Sequence, residues 1–181
     1  MKGKLIVLSG PGGVGKSTVA KKLREVDDFW VSVSATTRKA RSNEVDGHDY
    51  FFVSDEEFSR MINEDEFLEW AEFAGNRYGT PQEKVEQALL LGRNVLLEIE
   101  IAGAKQVKSH LPQSVLVFLE PPTWEELVAR LEGRGTDSPE RRAERLQLAQ
   151  EELSAASFFD VVLVNDQVDS VVGKLIELAH N

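Results

Sequence analysis

Gly10-Pro11-Gly12-Gly13-Val14-Gly15-Lys16-Ser17 fits the pattern G-x-x-x-x-G-K-[ST] and follows directly on the apolar run Leu5-Ile6-Val7-Leu8. Such a short, branched, all-apolar run reads as a strand buried on both faces, and the stretch Ser17 to Val26 reads as helical. Strand, glycine loop and helix in that order give the pattern a physical meaning. Glycines let successive backbone N–H groups turn inward around a phosphate, and the helix N-terminus adds positive potential. Lys16 then neutralises terminal phosphates, and Ser17 offers a magnesium ligand. Gly10, Pro11, Gly12, Gly13, Val14, Gly15, Lys16, Ser17 and Thr18 are therefore the expected cradle for the phosphates of a nucleotide.

Val95-Leu96-Leu97, Val115 to Leu119 and Val161 to Val164 repeat the strand texture, separated by helical stretches. This alternation predicts an α/β fold with a parallel core sheet and helices on both faces. At 181 residues the chain suits one compact domain with inserts. Ser54 with Glu57, Thr80 with Glu83 and Thr123 with Glu126 have the spacing of capping boxes, Pro81 suits a first helical turn, and Gly92 suits a left-handed helix end. Val168, Val171, Val172, Leu175, Ile176 and Ala179 recur near period 3.6, predicting an amphipathic helix.

Two regions interrupt the alternation. Residues 35–80 carry aromatic runs and a turn signal at Gly75-Asn76, which reads as a small antiparallel patch. Residues 133–145 open with Gly133-Arg134-Gly135, and Arg130, Arg134, Arg141, Arg142 and Arg145 crowd together there. Most charge runs are solvated helix faces, but an arginine between glycines also suits a mobile segment that brings a cation to a transferred phosphoryl group. Glu98-Ile99-Glu100 closes a strand, so a carboxylate emerges where ligands of open parallel sheets gather.

Net charge limits the remaining classes. Against 21 Lys+Arg stand 31 Asp+Glu, a balance of −10, which disfavours non-specific binding to nucleic acid or to anionic membrane. There is no cysteine, and His48, His110 and His180 are scattered, so thiol chemistry is excluded and a histidine metal cluster has no support. The longest early apolar run is the four residues Leu5 to Leu8, too short for a signal-peptide core, and a cytoplasmic protein is expected.

Ser34-Ala35-Thr36-Thr37-Arg38-Lys39-Ala40-Arg41, then Glu44, Gly47 and Tyr50, then Phe67-Leu68-Glu69-Trp70-Ala71 and Tyr78-Gly79-Thr80, closely resemble the signature of the guanylate kinase family. The glycine loop, the arginine segment and Val164-Asn165-Asp166 follow in that family's order, so the resemblance spans nearly the whole chain. It implies transfer of the γ-phosphoryl group of Mg-ATP to GMP, and to dGMP, with no obligate protein partner. It also implies a core of 1–34, 81–132 and 146–181, a GMP-binding insert at 35–80 and a helical lid at 133–145.

On this resemblance Arg38 and Arg41 fork onto the GMP phosphate, with Tyr50 and Tyr78 as neutral donors. Glu69 accepts from the guanine ring N–H and amine, while Ser34 and Thr80 suit the remaining base atoms. Arg130, Arg134 and Arg145 clamp ATP and the moving phosphoryl group, and Asn165 lies near the adenine. Taken singly, these arginines and Glu69 also read as surface charges, the tyrosines as core aromatics, and Asn165-Asp166 as a helix cap. Two departures stand out: Gly12 replaces a usual serine, and Glu98-Ile99-Glu100 replaces a usual Asp-x-Asp, one carboxylate for magnesium and one for GMP in either order. A module that binds a phosphorylated peptide is the rival reading, opposed by Lys16, Ser17, Arg134 and Arg145. A kinase for another monophosphate is the third, opposed by Glu69 and Ser34.

Overall fold

The computed structural model describes residues 3–132 and 139–181. Its core sheet has the order β2 (Phe29–Val31), β7 (Asn94–Glu98), β1 (Leu5–Ser9), β8 (Val115–Glu120), β9 (Val161–Val164), with every pairing parallel. Parallel strands need crossovers, and helices supply them: α1 (Lys16–Leu23), α3 (Gln82–Leu90), α4 (Ile101–His110), α5 (Trp124–Glu132) and α6 (Pro139–Ser154), while α7 (Val168–His180) follows the last strand.

The alternation along β1 shows why its sequence is apolar throughout. Ile6 and Leu8 pack with Val19, Leu23, Leu127 and Leu175 on one face, whereas Leu5 and Val7 pack with Val85, Val107 and Phe118 on the other. Burying Ile6, Val7 and Leu8 contributes roughly 2 kcal/mol each. Strand β2, three residues long, is an edge strand that the sequence pattern did not disclose; it pairs Phe29 with Asn94 and Val31 with Leu96. Helix α1 spans Lys16 to Leu23 and gives way to turns before Val26.

The insert is a second sheet, β4 (Phe51–Phe52), β3 (Ala35–Thr36), β6 (Asn76–Pro81), β5 (Phe67–Phe73), backed by α2 (Asp55–Asn63). Its own core is Ala35, Phe58, Met61 and Phe67. The sheet is mixed rather than antiparallel, because the long segment after β3 returns the chain so that Ala35 and Thr36 pair in parallel with Phe51 and Phe52. The β5–β6 turn is centred on Ala74 and Gly75, with φ of 50° and 75°, one residue earlier than expected.

Ser54 and Thr123 cap as expected, accepting from the backbone N–H of Glu57 at 3.1 Å and of Glu126 at 3.2 Å. Thr80 does not. It lies within β6, Pro81 occupies the N-cap of α3, and the Thr80 hydroxyl donates to the Glu69 carboxylate at 2.6 Å. Local spacing alone could not reveal that competing long-range partner. No helix among the described residues is long and apolar enough to cross a membrane.

Candidate active site

The glycine loop runs from the carboxyl end of β1 into α1, where the unpaired N–H groups of the first helical turn collect. Gly15 holds φ at 105°, and a Cβ there would stand 2.5 Å from Asn165 Nδ2, so both backbone and packing demand glycine. Asn165 is buried, and its Nδ2 donates to Val14 O at 2.8 Å; Arg130 Nη1 reaches the same carbonyl at 3.2 Å. The loop is thus braced from behind by two residues expected to serve ATP. Lys16 Nζ donates to Gly10 O at 2.5 Å, and Ser17 Oγ to Glu98 Oε1 at 2.5 Å. A Cβ at Gly12 would meet no atom within 4 Å, so serine and glycine are sterically equivalent there. The Gly12 N–H donates to Glu152 Oε2 at 3.1 Å.

Three adjoining cavities follow from this placement. A donor cleft of about 420 Å³ is walled by the loop, Thr18, Glu98, Arg130 and Asn165. A central chamber of about 580 Å³ shares Gly13, Lys16, Ser17 and Glu98 with it and adds Ser34, Tyr50, Glu100, Arg145 and Glu152. An acceptor pocket of about 240 Å³ shares Ser34, Tyr50, Glu98 and Glu100 with the chamber and adds Glu69, Tyr78 and Gly103. Glu98 lines all three, and Lys16 and Ser17 line the first two, so the cavities adjoin at these side chains.

Glu69 is buried in the acceptor pocket, and its Oε1 accepts from Thr80. Burial pushes its carboxyl above the usual range, against the pull of hydrogen bonds from the Thr80 hydroxyl and N–H; the charge of Glu100 adds a smaller upward push. Glu152 is also raised, first by burial, with the Gly12 N–H opposing. Tyr50 is raised by burial and then by the Glu98 charge, so its phenol stays a neutral donor. Arg38 forks onto Glu44, Nη1 to Oε2 at 3.0 Å and Nη2 to Oε1 at 2.8 Å, and its guanidinium carbon stands 5.3 Å from the Tyr50 ring centre. That ion pair raises the Arg38 pKa and lowers that of Glu44.

Of the expected acceptor residues, Ser34, Tyr50, Glu69, Tyr78 and Glu100 line one pocket. Arg38 and Arg41 are gathered by Glu44, which also accepts the Arg41 N–H at 2.8 Å, but neither lines the three cavities, and the Arg41 side chain stays 72% exposed. Thr80 is fully buried behind Glu69. On the donor side the loop, Arg130 and Asn165 meet, and Arg145 reaches the central chamber from α6. Arg134 lies outside the described residues. Glu44, Gly103 and Glu152 are contributors that sequence reasoning gave no role. Glu44 had a signal in its spacing from Arg38 and Arg41; Gly103 and Glu152 had none, because their partners lie far away in the chain.

A glycine loop between β1 and α1, opening at the carboxyl ends of parallel strands beside a second pocket lined by Tyr50, Tyr78 and the carboxylates Glu69, Glu98 and Glu100, defines a P-loop phosphotransferase of the α/β class. The guanylate kinase family profile matches residues 2–181, and the chain belongs to that family. It is 57% identical to the guanylate kinase of Thermobifida fusca over 97% of this chain and 90% of that one. It is 50% identical to the guanylate kinase of Synechocystis over 98% of this chain and 94% of that one. The crystal structure of guanylate kinase from Anaplasma phagocytophilum superposes with a TM-score of 0.80 at 36% identity, covering 99% of this chain and 85% of that one.

Proposed function

We propose that the protein transfers the γ-phosphoryl group of ATP to GMP, and to dGMP, giving ADP and GDP. The observation that carries this reading is the continuity of donor cleft, central chamber and acceptor pocket with Glu98 common to all three. Such a path lets two phosphates approach in line while the protein supplies position and charge.

In this reading Gly10 to Thr18 cradle the ATP phosphates and Lys16 neutralises the terminal ones. Arg38 and Arg41 take the GMP phosphate with Tyr50 and Tyr78 hydroxyls as orienting donors, and Glu44 holds the two arginines in place. Glu69 accepts from the guanine N–H groups, a donor pair that adenine lacks, so AMP would leave a buried acceptor unmatched. Ser34 and Glu100 complete the base pocket. Arg130, Arg134 and Arg145 stabilise charge on the moving phosphoryl group, and Asn165 borders the adenine side.

Ser17 Oγ and Glu98 Oε1, 2.5 Å apart, form the hard oxygen donor set that magnesium prefers. Among the described residues no cluster of three or more acidic or histidine side chains could hold a metal, which suits a cation carried by ATP phosphates and water. Bound there, magnesium would neutralise charge on the β- and γ-phosphate oxygens. The core (1–34, 81–132 and 146–181), the insert (35–80) and the arginine segment (133–145) are the proposed working parts. Because α6 crosses the boundary at 145, Arg145 travels with that helix, and closure over the chamber excludes hydrolytic water. The substrates are small molecules, with no nucleic acid, membrane or obligate protein partner, and the proposed location is the cytoplasm.

The test is a coupled assay of ADP release from Mg-ATP with GMP, AMP or UMP as acceptor. GMP-dependent release is expected. Equal rates with AMP or UMP would overturn the base assignment, and GMP binding without turnover would overturn catalysis.

A further inference from the structure

Strand β5, which carries Glu69, is the edge of the insert sheet, so the backbone groups of Leu68 and Trp70 on its outer side have no strand partner. Helix α4 of the core supplies one. Gln106 Nε2 donates to Trp70 O at 2.9 Å and Gln106 Oε1 accepts from Trp70 N–H at 3.2 Å, the pairing a neighbouring strand would offer. His110 Nδ1 lies 2.8 Å from Leu68 O. Glu69 is therefore held on both sides along the chain.

Residues 103, 106 and 110 recur at helical spacing of three and four, so they share one face of α4. The third contact on that face is a missing side chain. A Cβ on Gly103 would stand 2.4 Å from Glu69 Oε2 and 3.0 Å from Glu69 Cδ. The Glu69 carboxylate occupies the volume that any other residue at 103 would fill, while Thr80 fixes its second oxygen.

We propose that Gly103 is a positioning residue for base selection: its missing side chain, on a helix face that Gln106 and His110 fasten to β5, sets where the Glu69 carboxylate meets the acceptor base. This inference rests on the reading of Glu69 as the guanine acceptor. Gly103 touches no reacting atom; it acts through Glu69. The group that would collide is the far end of a flexible side chain, so a methyl at 103 displaces the carboxylate rather than the helix. Alanine is also the better helix former.

The experiment is Gly103→Ala in the full chain, with KM for GMP, KM for ATP, kcat and Tm measured together. A Tm held or raised is expected, with KM for GMP up about tenfold, the scale of one mismatched buried hydrogen bond, and KM for ATP within about twofold. A fall in Tm of many degrees would overturn the proposal, because it requires the fold to tolerate the methyl. Glu69→Asp withdraws the carboxylate by about one carbon–carbon bond, 1.5 Å. On that background Gly103→Ala should cost less than about twofold, whereas an undiminished tenfold cost would mean general disruption and overturn the proposal. Glu69→Ala separates the two readings. If it raises KM for GMP and Gly103→Ala does not, the positioning role falls and base reading stands; if Glu69→Ala leaves KM for GMP unchanged, both fall.

Discussion

The donor cleft is lined mostly by Pro11 and the run Gly13 to Thr18, one junction between β1 and α1. The acceptor pocket instead draws Ser34, Tyr50, Glu69 and Tyr78 from the insert and Glu100 and Gly103 from the core. The first is organised by local backbone geometry and braced by single contacts such as Asn165 to Val14. The second has no local organiser; its shape depends on α4 gripping β5 and on Thr80 holding Glu69, while Glu44 gathers Arg38 and Arg41 outside its walls. Loss of a donor group should therefore remove chemistry, while loss of an acceptor group should remove affinity and selectivity.

Lys16→Ala is the sharpest way to break that contrast. On the role proposed for the lysine, turnover should fall on the order of a thousandfold while calorimetric GMP affinity is largely spared. Near-normal turnover would sink the role given to Lys16. Glu69→Ala should do the reverse, weakening GMP binding by about 1–3 kcal/mol with a smaller effect on kcat at saturating GMP.

Glu98 belongs to both halves, and Glu98→Asp probes the junction. The shorter carboxylate retreats from Ser17, so a magnesium titration of activity should shift to higher concentration by about tenfold. Higher activity at low magnesium would instead show the longer side chain to be a handicap.

The smallest expected effect is in pH. Burial holds the Glu69 pKa above the ordinary carboxylate value, so as pH falls this group takes up its proton earlier than an exposed glutamate. A protonated carboxyl loses acceptor capacity for the two guanine donors, so KM for GMP should rise about two- to fivefold as pH falls through that pKa. Glu69→Gln should flatten the profile, leaving the titration of the GMP phosphate. By linkage, a raised carboxyl pKa opposes folding above the folded-state value and ceases to do so in acid. The Glu69→Gln variant should therefore gain stability relative to the parent at neutral pH, but not in acid, by thermal melts.

Legibility followed chain distance. The glycine loop, β1, β7, β8, β9, α7 and the Ser54 and Thr123 caps were readable because each signal lies within a few consecutive residues. The parallel pairing within the insert was not, since the partners Ala35 and Phe51 are brought together by a long connection. Thr80 misled for the same reason: its spacing to Glu83 is that of a cap, and only the β5–β6 register, which sets Glu69 opposite Thr80, shows where the hydroxyl goes. The phosphate loop and Glu98 were named from the motif and the strand end and the acceptor residues from a resemblance, in which Glu44 appeared without a role, whereas Gly103 and Glu152 emerged only from contacts.

By itself the sequence determined the class of fold and the phosphate cradle, because apolar periodicity and the conformational freedom of glycine act over single turns and strands. The tertiary structure decided which carboxylate is buried, which hydroxyl orients it and which glycine makes room for it. Those outcomes depend on Glu69 and Thr80 from the β5–β6 hairpin and Gly103 from helix α4 arriving within a few ångströms of one another. Burial and hydrogen bonding are set by such neighbours in space, and no window along the chain contains them.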